Sequence, residues 1–302
     1  MTSQITPVPD LAESKALTID WRSLGKVVAP PEAPPVVILP GFGNDTGDYE
    51  CPFGDKDAAI ATALRNRGWR VFVVPLERRD WLNVGRSVLS RDYWTSNCTC
   101  DPGYRWYLNR VRSTVDMARC ECLCDQVDLI GHSAGGWLGR AFTGDPLGFD
   151  SPPATPDVPH QGVRTLVTLG TPQRPPPAEL GRDMTGGALR WVDVQWPGAH
   201  FASAGLRYVC VAGRSVTADR NAPRRTLARY AHSSYSQVCG DGHAEEGDCV
   251  VPLSSAHLPG AKNVVLEGVY HSTSRVGTYG QPAERPWYGS DTVVDAWAQF
   301  LV

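Results

Sequence analysis

The chain has 302 residues, 42% of them hydrophobic, and a net charge of −3. That length can bury a large core, and the mild negative balance excludes the basic surplus that drives binding to nucleic-acid backbones. No stretch reaches 18 uninterrupted apolar residues, so no membrane span is expected, and the first twenty residues lack the pattern of a secretory signal.

Residues 1–35 are polar and proline-rich, ending in Ala29-Pro30-Pro31-Glu32-Ala33-Pro34-Pro35, which predicts an irregular arm before a single domain over 36–302. Val36 to Leu39 is a short continuous apolar run, the mark of a strand buried on both faces. Asp57 to Arg67 reads as a helix closed by Gly68, and Trp69 to Val74 as a second buried strand. Tyr107, Val111, Val115, Ala118 and Cys122 recur at steps of three and four, predicting an amphipathic helix over 104–123. Gln126 to Gly131 is a third strand, leading directly into a helix from Ala134 to Phe142. Strands follow at Val163 to Leu169, Leu206 to Ala212 and Asn263 to Leu266, before a closing helix from Asp291 to Leu301. Strands alternating with helices predict an α/β domain, a mainly parallel sheet covered by helices on both faces.

Two segments break that rhythm. Residues 172–204 hold five prolines and the aromatics Trp191, Trp196 and Phe201, and are expected to form an inserted lid. Residues 214–247 are first arginine-rich and then acidic. Of nine cysteines, Cys98 and Cys100, then Cys120, Cys122 and Cys124, are clustered. Their C-x-C spacing and the lack of a nearby histidine argue for thiols rather than a metal site.

Gly131-His132-Ser133-Ala134-Gly135-Gly136 matches the G-x-S-x-G pattern in its required context, between a strand and a helix. A serine raised on such a turn lies near a helix N-terminus, where free N–H groups favour developing negative charge. A serine hydroxyl needs a base to become a nucleophile. His271, just beyond the last strand, is the candidate, with Asp248 to hold its tautomer, giving the chain order Ser133, Asp248, His271. Asp241 is the rival acid in the same polar loop, and His132 is expected to point away from the site. Leu39-Pro40-Gly41-Phe42-Gly43-Asn44 follows the first strand, so the backbone N–H groups of Phe42 and Ala134 are the expected oxyanion hole.

These motifs, together with Gly170-Thr171-Pro172, resemble those of α/β-hydrolase lipases and esterases. Asp80-Trp81-Leu82, Asp92-Tyr93-Trp94, Trp106-Tyr107-Leu108 and Pro286-Trp287-Tyr288-Gly289-Ser290 are similar to segments of lipase-like α/β-hydrolases from cyanobacteria, algae and plant plastids. The chain departs from the lipase pattern at Cys249, where Gly-Asp-Gly is usual, and a turn needing positive φ there would be strained. The motifs and the aromatics Trp81, Tyr93, Trp94, Trp191, Trp196, Phe201 and Trp287 together predict hydrolysis of lipid-like acyl or isoprenoid esters through an acyl-serine, with no metal or organic cofactor. The resemblance itself is specific for reaction class and not for substrate. It also suggests a plastid as an alternative to the cytoplasm.

Trp81, Trp191 and Trp196 are candidate substrate-binding residues, with Tyr93, Trp94 and Trp287 as further apolar wall. The expected partner is a small-molecule or lipid ester, met free or at a membrane surface. Thioester hydrolysis and acyl transfer use the same residues, and a non-catalytic receptor for a hydrophobic ligand or a partner-binding scaffold shares the architecture. Oligomeric state is not legible.

Overall fold

A computed structural model describes residues 16–144, 162–273 and 285–302. Residues 1–15 of the predicted arm lie outside them. In chain order the described part runs β1 (Leu17–Ile19), β2 (Val36–Leu39), α1 (Gly47–Glu50), α2 (Ile60–Arg65) and β3 (Val71–Val73). Next come α3 (Gly85–Val88), α4 (Arg91–Trp94), α5 (Arg105–Cys122), β4 (Val127–His132), α6 (Ala134–Gly144), β5 (Val163–Leu169) and α7 (Ala188–Gln195). It finishes with β6 (Arg207–Arg214), β7 (Val216–Thr217), α8 (Leu227–Cys239), β8 (Glu246–Gly247), α9 (Leu253–Ala256), β9 (Lys262–Glu267) and α10 (Asp291–Ala298). Among the described residues, no helix is long and apolar enough to cross a membrane.

Seven strands form one sheet in the order β1-β9-β6-β5-β4-β2-β3, with every neighbouring pair parallel. The apolar runs dictate its two-sided burial, because successive side chains on a strand point to opposite faces. Val37, Leu39, Leu129 and Leu166 pack on one side against α5, α6 and α7. Val36, Ile38, Ile130 and Val167 pack on the other against α2 and α10. Parallel pairing also sends the C-terminal ends of β2, β4, β5, β6 and β9 to one edge of the sheet, where ligands bind in open α/β folds. The loops after these strands carry the residues singled out in the sequence.

The arm is not wholly irregular. Leu17-Thr18-Ile19 adds a strand beside β9, with Leu17 opposite Val264, and the Trp21 indole N–H donates to Glu267 O at 2.8 Å. Three residues are too few to show a period, so sequence patterning missed them. Further along, the Val27 amide donates to Asp295 Oδ1 at 2.7 Å.

That carboxylate belongs to a buried cluster that fastens α2 to α10. The Arg67 side chain is 2% exposed and donates to Asp295 through Nε at 2.7 Å and Nη2 at 2.6 Å. It also reaches the Asp291 carboxylate and Ala63 O. Replacing Arg67 by Met would leave Asp295 buried without its counter-charge, a change that costs about 3 to 5 kcal/mol. Urea unfolding of Arg67→Met is expected to show a loss on that scale; less than about 1 kcal/mol would mean the cluster adds little to stability.

Candidate active site

β4 ends at His132, and the chain turns into α6 through Ser133, whose φ is +52°. This left-handed conformation is costly for a serine and persists only where the surroundings enforce it. Here the enforcement is steric. A Cβ at Gly131 would lie 2.4 Å from Gly136 Cα, and one at Gly135 would lie 2.1 Å from Leu39 O. Only side chains of zero length let β4, β2 and the start of α6 approach so closely. Two hydrogen bonds brace the turn: the Ser133 amide donates to Leu169 O at 2.8 Å, and Thr171 Oγ1 donates to Ser133 O at 2.8 Å. Ser133 itself is half-buried.

Asp248 is delivered by β8, which pairs antiparallel with β7 in a two-stranded sheet beyond β6. Its side chain is 1% exposed and accepts four hydrogen bonds. Oδ1 takes the amides of Val250 at 2.9 Å and Val251 at 2.7 Å. Oδ2 takes His271 Nδ1–H at 2.7 Å and the Tyr288 hydroxyl at 2.8 Å. All the lone pairs of a buried carboxylate are thus matched by donors. Asp241, by contrast, lies on the surface in a two-oxygen pair with Arg220. Cys249 adopts φ +86°, so the departure from Gly-Asp-Gly does place a cysteine in the left-handed region. Its amide is held by the Tyr235 hydroxyl at 2.9 Å.

His271 follows β9, and its own amide donates to Asp248 O at 2.9 Å. Gly170, at the end of β5 with φ +54°, lies under this pair: a Cβ there would be 2.4 Å from Asp248 Oδ2 and 3.0 Å from His271 Nδ1. The serine elbow and the His271–Asp248 pair therefore meet above β5. Among the described residues, no hydrogen bond joins Ser133 Oγ to His271.

Loop 40–45 comes equally close from the β2 side. A Cβ at Gly41 would lie 2.8 Å from Ser133 Cβ. Ala134 opens α6, where the first amide has no intrahelical acceptor. The Phe42 ring, 52% exposed, lies 5.0 Å from that of Trp81. The Trp81 indole N–H donates to Asn44 O at 2.8 Å, so Trp81 is brought to this loop.

Trp191 and Trp196 are not brought to Ser133. They stack edge to face at 5.2 Å, and the Trp196 indole presses on Gly144, at the far end of α6 from Ser133. That distance is about 15 Å along the helix. Arg140 on α6 fixes both ends of the 172–204 segment, donating to Gln173 O at 2.6 Å and Trp196 O at 2.9 Å. Trp196 and Phe201 are thus buried in the core, with Trp191 partly buried against it.

His132 is 1% exposed. Its Nδ1 lies 2.7 Å from the Tyr49 hydroxyl and its Nε2 lies 2.9 Å from His271 O. Burial, followed by the charge of neighbouring His271, pushes its pKa down to about 3. Tyr49, Thr171 and Tyr288 were missed as supporting residues; only Thr171 and Tyr288 lay in motifs with a sequence signal.

No family model matches the chain, and neither does any curated protein. Among solved structures, lipase BlEst2 of Bacillus licheniformis aligns with TM-score 0.50 at 14% identity, over 91% of this chain and 94% of that one. The metagenomic carboxyl esterase MGS0156 gives 0.49 at 12% identity, over 91% and 77%. Lipase 1 of Pelosinus fermentans gives 0.45 at 11%, over 89% and 98%. Such identities speak to architecture alone, and with the parallel sheet the first of these likenesses identifies the α/β-hydrolase fold.

Trp196→Ala is expected to destabilise the protein by about 3 kcal/mol in urea unfolding, as other large core truncations do. A loss below about 1 kcal/mol would mean that its burial adds little to stability. The depressed pKa of His132 makes a pH prediction. Between about pH 6.5 and about pH 3 the unfolded chain binds a proton there that the folded chain refuses. Stability from this group is complete above about pH 6.5 and is lost as pH falls, with a slope approaching about 1.4 kcal/mol per pH unit. Urea unfolding followed from about pH 7 to about pH 4 should show a shallower decline in His132→Asn than in the parent; parallel curves would clear His132.

Proposed function

We propose that the chain is a serine carboxylic ester hydrolase acting on lipid-like esters. The observation that carries this reading is the His271 Nδ1–Asp248 Oδ2 hydrogen bond, 2.7 Å long and buried, set beside a serine at φ +52° between a strand and a helix. With Nδ1 occupied by the carboxylate, Nε2 of His271 is the nitrogen that takes the proton from Ser133 Oγ as the hydroxyl attacks the ester carbonyl. Catalytic hydrogen bonds are often long before substrate arrives, so the base and nucleophile draw together in the complex. The tetrahedral oxyanion is stabilised by the amides of Phe42 and Ala134, donors already oriented before the charge develops. The imidazolium then returns its proton to the leaving alkoxide, the acyl-serine forms, and water activated by the same histidine releases the acid.

A lipid-like substrate is supported by the surface around loop 40–45. Phe42 is half exposed above Trp81, and the segment after β3 leaves Leu82 80% and Leu89 90% exposed. Such apolar exposure suits an acyl or isoprenoid chain, met free or at a lipid surface. The peripheral tryptophan motifs favour kinship with the lipase-like hydrolases of cyanobacteria, algae and plastids, and hence a cytoplasmic or plastid setting.

A fluorophosphonate probe is expected to label the protein at Ser133 and to fail on Ser133→Ala; labelling that survives the substitution defeats the assignment. Asp248→Asn should lower kcat on p-nitrophenyl esters about 10³-fold or more, because an amide no longer fixes the working tautomer. Asp241→Asn should leave it unchanged, and the reverse pattern would transfer the acid's role to Asp241.

A further inference from the structure

His132, the last residue of β4, is buried in a chain of hydrogen bonds that the proposed mechanism does not use. The Tyr49 hydroxyl, in a side chain 1% exposed, receives the Gly41 amide at 2.9 Å and Asn44 Nδ2 at 3.0 Å. A phenol oxygen has two acceptor sites and one proton. Both acceptor sites are filled, so the proton must go to His132 Nδ1, 2.7 Å away. That fixes the His132 tautomer. Nε2 carries the hydrogen and donates it to the main-chain oxygen of His271 at 2.9 Å.

Neither group changes charge near neutral pH. Burial pushes the Tyr49 phenol up, and burial with the nearby His271 charge pushes His132 down. The chain of bonds is therefore a fixed brace. One end holds the amide immediately before Phe42, the proposed oxyanion donor, and the other holds the backbone of the proposed base. The His132 and His271 rings lie 4.8 Å apart, with Trp287 5.7 Å from His132 on another side.

We propose that Tyr49 and His132 are positioning residues that set the oxyanion loop and the base at one fixed separation about Ser133. This inference rests on the serine-hydrolase reading. In that reading a small displacement matters, since misplacing catalytic groups by about 1 Å can cost on the order of 10²-fold in rate.

The two halves of the brace can be cut separately. Tyr49→Phe removes the hydroxyl. His132→Asn keeps an acceptor for Tyr49 but does not reach His271 O. Each is expected to lower kcat on p-nitrophenyl butyrate about tenfold to about 100-fold, with KM within about twofold. The double variant should lose no more than the weaker single variant, because the residues act as one unit. A trifluoromethyl ketone, which forms an oxyanion on Ser133, should bind more weakly in proportion to the loss in kcat/KM, while butyrate inhibits as in the parent. A variant that merely unfolds would lose both kinds of binding. Additive losses, a rise in KM alone, equal weakening of both inhibitors, or unchanged kcat would each overturn the brace. Failure of the parent protein to react with fluorophosphonate would instead overturn the hydrolase reading beneath it.

Discussion

A close approach of three backbones organises this molecule. Where β2 and β4 end and α6 begins, carbonyls, amides and Cα atoms lie so near one another that a single methyl group at Gly131 or Gly135 would overlap main-chain atoms. Close packing of this kind removes the freedom that a serine would otherwise use to leave the left-handed region. The fold therefore stores local strain under Ser133 and balances it with the large two-sided core of the sheet. Gly170 extends the same constraint to the next strand, where only hydrogen fits beneath Asp248 and His271.

Above that platform the chemistry is set by hydrogen-bond saturation. A carboxylate buried to 1% exposure is costly unless its oxygens are matched, and Asp248 has two amides on one oxygen and a phenol and an imidazole on the other. Tyr288 is held in turn, accepting the Gly213 amide at 2.7 Å. Burial and the adjacent Asp248 charge push this phenol up, so it stays a donor. The imidazole is then oriented by a carboxylate that cannot rotate, which is the condition for a histidine to work as a base in one tautomer.

Much of this was legible because it is encoded in patterns local to the chain. The strand Val36–Leu39 matches its apolar run residue for residue, since all four side chains are buried, and Val163–Leu169 has the expected bounds although Arg164, Thr165 and Thr168 interrupt its apolar residues. The elbow was legible because its sterics demand glycines at fixed spacing. What escaped was non-local. Leu17–Ile19 is a strand only because β9 offers it an edge, and nothing in three residues announces that. Tyr49 lies 83 residues from His132, and their bond has no sequence signature. Trp191 and Trp196 read as pocket wall because aromatics in a proline-rich insertion can serve either purpose, and the bonds by which Arg140, on a different element, holds Gln173 and Trp196 have no sequence signature.

The pairing of β1 with β9 has a bearing on how the protein is made. Trp21 and its acceptor Glu267 are 246 positions apart. A ribosome releases the early segment long before its partner has been synthesised, so β1 must wait unpaired until β9 emerges. β9 also carries the chain to His271, so the pairing of β1 and the seating of His271 both await the same late-made strand.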